Sequence, residues 1–268
     1  MPTIDRKADS VQPEIKERIK AVLRDIRSND DPALSPERRA AIKHLLAHAS
    51  PAMIAAAEQE LVAEGFTIQD LTTACDAHLE LFREAAGEQS FDLPPDHPIS
   101  RFEEDHRVIF ETLAALRAAI AQARDKTDRA SAASDIEQIT RFVDLLLAAE
   151  NHNVRQENTL FPMLERYGIE QPPAIMWQEH LEMREQKKRL VAVLGETANL
   201  QELVQKLDAA AVLLSEQFAM HSQKERRILY PAAIELFSAE EWNDIRLECD
   251  SLGYFTDTPV AETERRNL

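Results

Sequence analysis

Glycine and cysteine are both scarce in this chain of 268 residues, which has 5 Gly and 2 Cys. The abundant Ala, Leu, Glu, Arg, Gln and Lys favour helix throughout. No segment shows the alternation of apolar and polar residues that is typical of strands. We therefore predict an all-α protein. The scarcity of glycine also agrees with the lack of a phosphate-binding glycine loop.

The two cysteines, Cys75 and Cys249, lie far apart in the sequence, which excludes a disulfide framework and indicates a reducing compartment. The first residues lack the apolar core of a signal peptide. No apolar run approaches the roughly 20 residues needed to cross a bilayer. We expect a cytoplasmic protein that does not enter a membrane.

Basic residues are outnumbered, with 31 Lys and Arg against 48 Asp and Glu and a net charge of −17. A surface of this sign opposes binding to nucleic-acid phosphates and to anionic lipids. We therefore expect no nucleic acid or membrane as a partner, and we interpret the acidity itself as a source of solubility.

The first 92 residues predict a small helical domain. The stretch from Gly87 to Pro98 contains three prolines and no periodicity, so the domain boundary is expected there. Gly65 is expected to end one helix, and Thr67 to cap the next. The predicted helices run from about 13 to 27, from Ser35-Pro36, from Ser50-Pro51 to Gly65, and from Thr67 to about 86.

Residues 96–255 predict an up-down-up-down four-helix bundle, because four long periodic segments are joined by short links. Gly168 is expected to end the second segment, and Ser238 to begin a short last helix through a capping box. The tail, 256–268, is expected to be flexible. The four segments cover about 99–124, 134–167, 173–194 and 200–237.

Two segments of the predicted bundle repeat each other, His152–Pro162 and His221–Pro231. Each begins with a histidine, has a carboxylate four or five residues later, and closes on Leu-aromatic-Pro. Each is preceded by a further histidine, His106 in Glu-Asp-His and His180 in Gln-Glu-His. The repeat predicts two helical hairpins, each with one lone histidine and one histidine paired with a glutamate.

Residues four apart on a helix lie about 40° apart on one face, so His221 and Glu225 are well placed to share a metal. His152 and Glu157 are five apart, about 140° around the helix, which is less favourable. Gln156 occupies the better position but is a neutral, poor ligand. The longer Glu157 side chain can still reach a metal beside the imidazole.

A single buried histidine is usually a hydrogen-bonded core residue, and a helical glutamate is usually solvated. Six such residues in a repeated pattern within apolar segments favour a metal site, because two carboxylates buried there without a cation would be costly. Four histidines and two carboxylates suit a pair of iron ions, and are too many for one tetrahedral zinc.

At these residues the chain resembles the hemerythrin-like, or HHE cation-binding, family. The resemblance covers about residues 96–255 and implies a four-helix bundle around a non-haem di-iron centre. It implies that Glu157 and Glu225 are bridging carboxylates, and the identity of the metal as iron rests on it. The implied ligands are His106, His152, Glu157, His180, His221 and Glu225.

One feature departs from that family. Oxygen-carrying hemerythrins have two histidines one turn apart on the third helix, whereas Met176 and Arg184 stand one turn either side of His180. This leaves an open coordination site or a substitute ligand. His97 is the candidate substitute, although a loop histidine before proline is more often a capping residue. It precedes His106 by nine residues, about 13 Å along a helix.

Residues 37–92 resemble an uncharacterised helical domain found ahead of HHE domains in bacteria, from which no chemistry follows. Cys75 and His78 lie one turn apart, and we favour core packing over a metal site for them. Docking to a protein partner of unknown identity is the expected role of this domain. Its buried face is expected to include Leu71, Ala74, His78 and Leu79.

Three classes of function remain open for a di-iron centre. The first is a protein that binds or senses oxygen or nitric oxide in a stress response. The second is an enzyme that consumes peroxide or reduces nitric oxide, and the third is a protein that stores or donates iron. No catalytic residue is indicated. Tyr167, Trp177 and Tyr230 are expected in the core rather than at the centre.

Overall fold

The computed structural model describes residues 8–28, 44, 45, 49, 51–67, 91–196 and 199–257. Within these residues the regular structure is helical and no strand is present, so the all-α prediction is confirmed. None of the described helices is both long enough and apolar enough to cross a lipid bilayer.

The chain divides into two compact units. One contains the described part of 1–91 together with 161–176 and 223–237, and the other contains 92–160, 177–222 and the described part of 238–268. The predicted domain limits at residues 92 and 96 stay predictions.

The first unit begins with helices α1 (Ala8–Ser28) and α2 (Pro51–Ala63). As predicted, α2 is followed by Gly65, whose φ of 95° lies in the left-handed region that favours glycine. The helix expected over 68–86, with Cys75 and His78, lies outside the described residues. Of the helix expected from Ser35, residues 44 and 45 are described and are helical. The apolar core of this unit comprises Ile19, Leu23, Leu45, Ile54, Ala57, Leu61, Phe66 and Ile175.

After residue 91 the predicted segments are present, but the second and fourth are interrupted. Ser238 and Glu241 form the predicted capping box at the start of the last helix. The helices are α3 (Pro98–Arg124), α4 (Ala133–Ala148), α5 (Glu150–Asn158), α6 (Leu160–Arg166), α7 (Gln171–Leu194), α8 (Leu200–Lys224), a π-helical turn (Glu225–Leu229), α9 (Tyr230–Leu236) and α10 (Ala239–Leu252).

Two of these interruptions lie beside the proline that closes each sequence repeat. Pro162 has no N–H to donate to the carbonyl of Asn158, and α5 ends at that residue. Pro231 has the same effect in the other repeat, where the chain widens into the π-helical turn and the N–H of Tyr230 donates to the carbonyl of Glu225. Such turns within helices are frequent at functional sites.

Neighbouring helices of the bundle run in opposite directions. His106 near the start of α3 lies beside His152, which belongs to α5 at the end of the second segment. His180 in the first half of α7 likewise lies beside His221 near the end of α8. At the opposite end, Arg124 of α3 bonds to Asp208 of α8 at 2.8 Å. The predicted up-down-up-down topology is confirmed.

Candidate metal centre

Four histidines are buried at one end of this bundle. His106 is 4% exposed, and His152, His180 and His221 are at most 1% exposed. They form two pairs. The ring centroids of His106 and His152 are 5.0 Å apart. The Nε2 atoms of His180 and His221 are 3.0 Å apart.

Each of the four imidazole rings has a carboxylate oxygen next to its Nδ1 atom. Three of the distances are those of hydrogen bonds, and the fourth is slightly longer. The pairs are His152 with Asp105 at 3.1 Å, His180 with Glu157 at 2.7 Å, His221 with Glu179 at 2.7 Å, and His106 with Glu103 at 3.4 Å.

This arrangement prepares the rings to bind a cation. A neutral imidazole that donates its Nδ1 proton to a carboxylate has its lone pair on Nε2. In His180 and His221 these two lone pairs would face each other at 3.0 Å, which is unfavourable without a positive charge nearby. A carboxylate behind a metal-binding histidine is the usual way in which proteins orient such a ligand.

Glu225 completes two groups of possible ligands. The ligand atoms of His106, His152 and Glu225 lie within 4.8 Å of one another, and so do those of His180, His221 and Glu225. Glu225 is fully buried and begins the π-helical turn, four residues after His221. Imidazole nitrogens with a carboxylate oxygen are a donor set that suits iron, zinc or manganese.

The chain matches the hemerythrin HHE cation-binding domain over residues 97–233, just over half of its length. It belongs to the hemerythrin HHE cation-binding family. Residues 19–88 match a family of unknown function, DUF438. Both resemblances noted in the sequence are thus confirmed. No curated protein matches the chain.

In the hemerythrin domain, Glu157 lies outside both groups of ligand atoms. Its Oε1 atom lies 2.7 Å from Nδ1 of His180 and 2.7 Å from Nη2 of Arg184. Gln156 instead stands beside His152, with its Nε2 atom 3.1 Å from the imidazole Nε2. The helical rotation explains this, because the fourth residue after His152 shares its face and the fifth points towards the neighbouring helix.

His97 is likewise in neither group. It caps the first helix of the hemerythrin domain, where its Nδ1 atom accepts a hydrogen bond from the N–H of Ile99 at 3.2 Å. Its ring centroid lies 4.5 Å from that of Trp242. Burial lowers the pKa of His97, and the charge of Asp96 partly opposes this shift.

These positions predict different results for two substitutions. His97→Ala should keep the bound metal and reduce the free energy of unfolding by about 1 kcal/mol, as expected for loss of a helix cap. His106→Ala should lose metal, because one of the paired imidazoles is removed. Metal analysis and thermal unfolding of both variants test this. Loss of metal in His97→Ala with retention in His106→Ala would contradict it.

Sequence reasoning missed the carboxylates that support the histidines of the hemerythrin domain. A signal was present, because the residue directly before each lone histidine is acidic, Asp105 before His106 and Glu179 before His180. Each of these carboxylates faces the histidine of the other helix in its hairpin, His152 or His221. The sequence repeat therefore includes the carboxylates that support the imidazoles as well as the histidines themselves.

Arg155 was also missed. Its side chain is fully buried, bonds to Asp105, and lies over the ring of Tyr254 at 4.4 Å.

The expectation for the aromatic residues was partly wrong. Tyr230 is buried, but Tyr167 and Trp177 are 43% and 48% exposed and belong to no core.

Proposed function

We propose that this hemerythrin domain holds two non-haem iron ions and binds oxygen or nitric oxide in a stress response. The observation that carries the proposal is the arrangement of the four buried histidines in two pairs, each ring backed by a carboxylate. Two pairs of imidazoles suit two ions. The choice of iron over zinc or manganese rests on the family.

In this proposal Glu225 would supply a carboxylate to both ion sites, since it belongs to both groups of ligand atoms. His106 and His152 would hold one ion, and His180 and His221 the other. Glu157 would position His180 rather than bridge, and His97 would cap its helix. Reduced iron with an open coordination position supplies a binding site for diatomic molecules. Because the proposed protein ligands are few for two ions, they would leave such coordination positions open.

Apolar side chains around the centre support a small ligand. The ring centroids of Phe102 and Phe218 lie 5.2 Å from that of His152 and 5.6 Å from that of His106, and both phenylalanines are buried. Phe218 also borders a cavity of about 10 Å³, which is the size of one water molecule. The cavity is lined by Ile109, Leu113, Leu146, Ala149, Asn153, Met183, Lys187, Leu214 and Phe218.

The test is metal analysis followed by anaerobic titration of the reduced protein with oxygen, nitric oxide and peroxide, observed optically. We expect about two irons per chain, because the paired histidines form two sites. We also expect a stable, reversible adduct with oxygen or nitric oxide.

Other results would assign the centre differently. Turnover of peroxide or nitric oxide would make the protein an enzyme, and rapid loss of iron to a chelator would indicate iron handling. One tightly held zinc and no iron would contradict the proposal. The cytoplasmic location, the lack of a nucleic-acid partner and a docking role for the N-terminal domain stay predictions from the sequence.

A further inference from the structure

Arg184 stands one helical turn after His180. Its Nε atom bonds to Oε1 of Glu150 at 2.6 Å, and its Nη2 atom bonds to Oε1 of Glu157 at 2.7 Å. Lys187 bonds to the other oxygen of Glu150 at 2.9 Å. Two cations and two carboxylates therefore form a group beside the centre, here called the Arg184 cluster. The amide of Asn153 also lies 3.3 Å from each oxygen of Glu150.

Within the Arg184 cluster, one oxygen of Glu157 is held by two donors. Oε1 accepts from the guanidinium of Arg184 and lies at hydrogen-bond distance from Nδ1 of His180. This places the carboxylate on the Nδ1 side of the imidazole. The Nε2 atom of the same ring faces His221. Glu157 therefore lies behind His180, not among the ligand atoms.

We propose that Arg184 is a positioning residue that keeps Glu157 bonded to His180 and off the metal ions. The inference rests on the proposed metal centre. Gln156, the residue before Glu157, is neutral and supplies no charge. If Glu157 does not bind the ions, Glu225 is the one carboxylate among the proposed ligands. Fewer anionic ligands leave more positive charge and more open positions for an incoming ligand.

Removing the guanidinium should release the carboxylate towards the ions. A partly buried carboxylate without its cation is unfavourable, so Glu157 should then move towards the positive charge of the proposed metal centre. The Arg184→Met variant should therefore bind metal more tightly. This increase in metal affinity is the opposite of the result expected if Arg184 only supported the fold, since loss of an orienting group ordinarily weakens metal binding.

Co²⁺ is a suitable probe, because its visible spectrum reports the number and geometry of its ligands. In the full-length protein, Arg184→Met should bind at least one Co²⁺ about tenfold more tightly in competition with a chelator, the scale typical of groups behind metal ligands. The visible spectrum should change in the direction that indicates a higher coordination number of the Co²⁺ ion. Arg184→Lys keeps a positive charge at this position and should gain less affinity than Arg184→Met. Arg184→Gln repeats the test if the methionine disturbs folding.

Two further variants complete the design. Arg189→Met removes an exposed arginine from the same helix and should leave Co²⁺ affinity unchanged. In a Glu157→Gln background, Arg184→Met should gain little affinity, because there is no carboxylate to release. Weaker or unchanged binding by Arg184→Met, or an equal gain in the Glu157→Gln background, would overturn the proposal. Failure of the wild-type protein to bind Co²⁺ would reject the metal centre itself.

Discussion

Replacing His221 with alanine should reduce the metal content from about two ions per chain to one or fewer. The imidazole of His221 lies 3.0 Å from that of His180, and both are buried. Removing one ring leaves its partner with too few ligands to hold an ion, and leaves Glu179 without the imidazole that it orients. Metal analysis after purification measures the loss.

The same variant should also be less stable. A ligand present at ~100 to 1,000 times its Kd stabilises the folded state by about 3 to 4 kcal/mol, and this stabilisation is lost with the ion. His44→Ala is the matched control, since His44 is exposed and lies in the other unit of the chain. Full metal content and an unchanged melting temperature in His221→Ala would refute the proposed centre.

Replacing Asp105 with alanine should be among the most destabilising single substitutions in the bundle. The side chains of Asp105 and Arg155 are both 0% exposed and form an ion pair. Removing the carboxylate leaves a buried guanidinium without its counter-charge, at a cost on the order of 3–5 kcal/mol. For a chain of this size, that lowers the melting temperature by roughly 10 °C.

The measurement should be made on metal-free protein, because Asp105 also contacts His152 and its loss affects metal binding. Asp208→Ala is the control. It breaks another Asp–Arg pair that involves helix α3, at 2.8 Å, but with side chains 37% and 56% exposed. Exposed pairs contribute about 0–1 kcal/mol. Equal destabilisation by the two substitutions would show that burial of the Asp105 pair has no special effect.

Much of the fold was predictable from local patterns. The apolar periodicity located the helices after residue 91 to within a few residues. Gly65 and Gly168 each marked the end of a helix, and Ser238 marked the start of the last one. These features were accessible because helix formation and capping depend on residues within one or two turns. The interruptions beside Pro162 and Pro231 were not predicted, although the missing N–H of proline causes both.

The candidate site was less accessible. The repeat indicated which histidines face inward, and the structure brings His106, His152, His180 and His221 together with Glu225. Proximity in sequence also suggested Glu157 as a ligand of the same centre. The structure instead places Glu157 against His180 and Arg184, and brings Gln156 to His152.

The sequence by itself determined the helices, the order of the hairpins and the inward-facing histidines, because these depend on the 3.6-residue period of a single helix. Only the tertiary structure decided which carboxylate supports which imidazole, as with Asp105 and His152. It also decided that Glu157 pairs with Arg184. Such partners lie on different helices, and the rotation of one packed helix against another cannot be derived from the period of either alone.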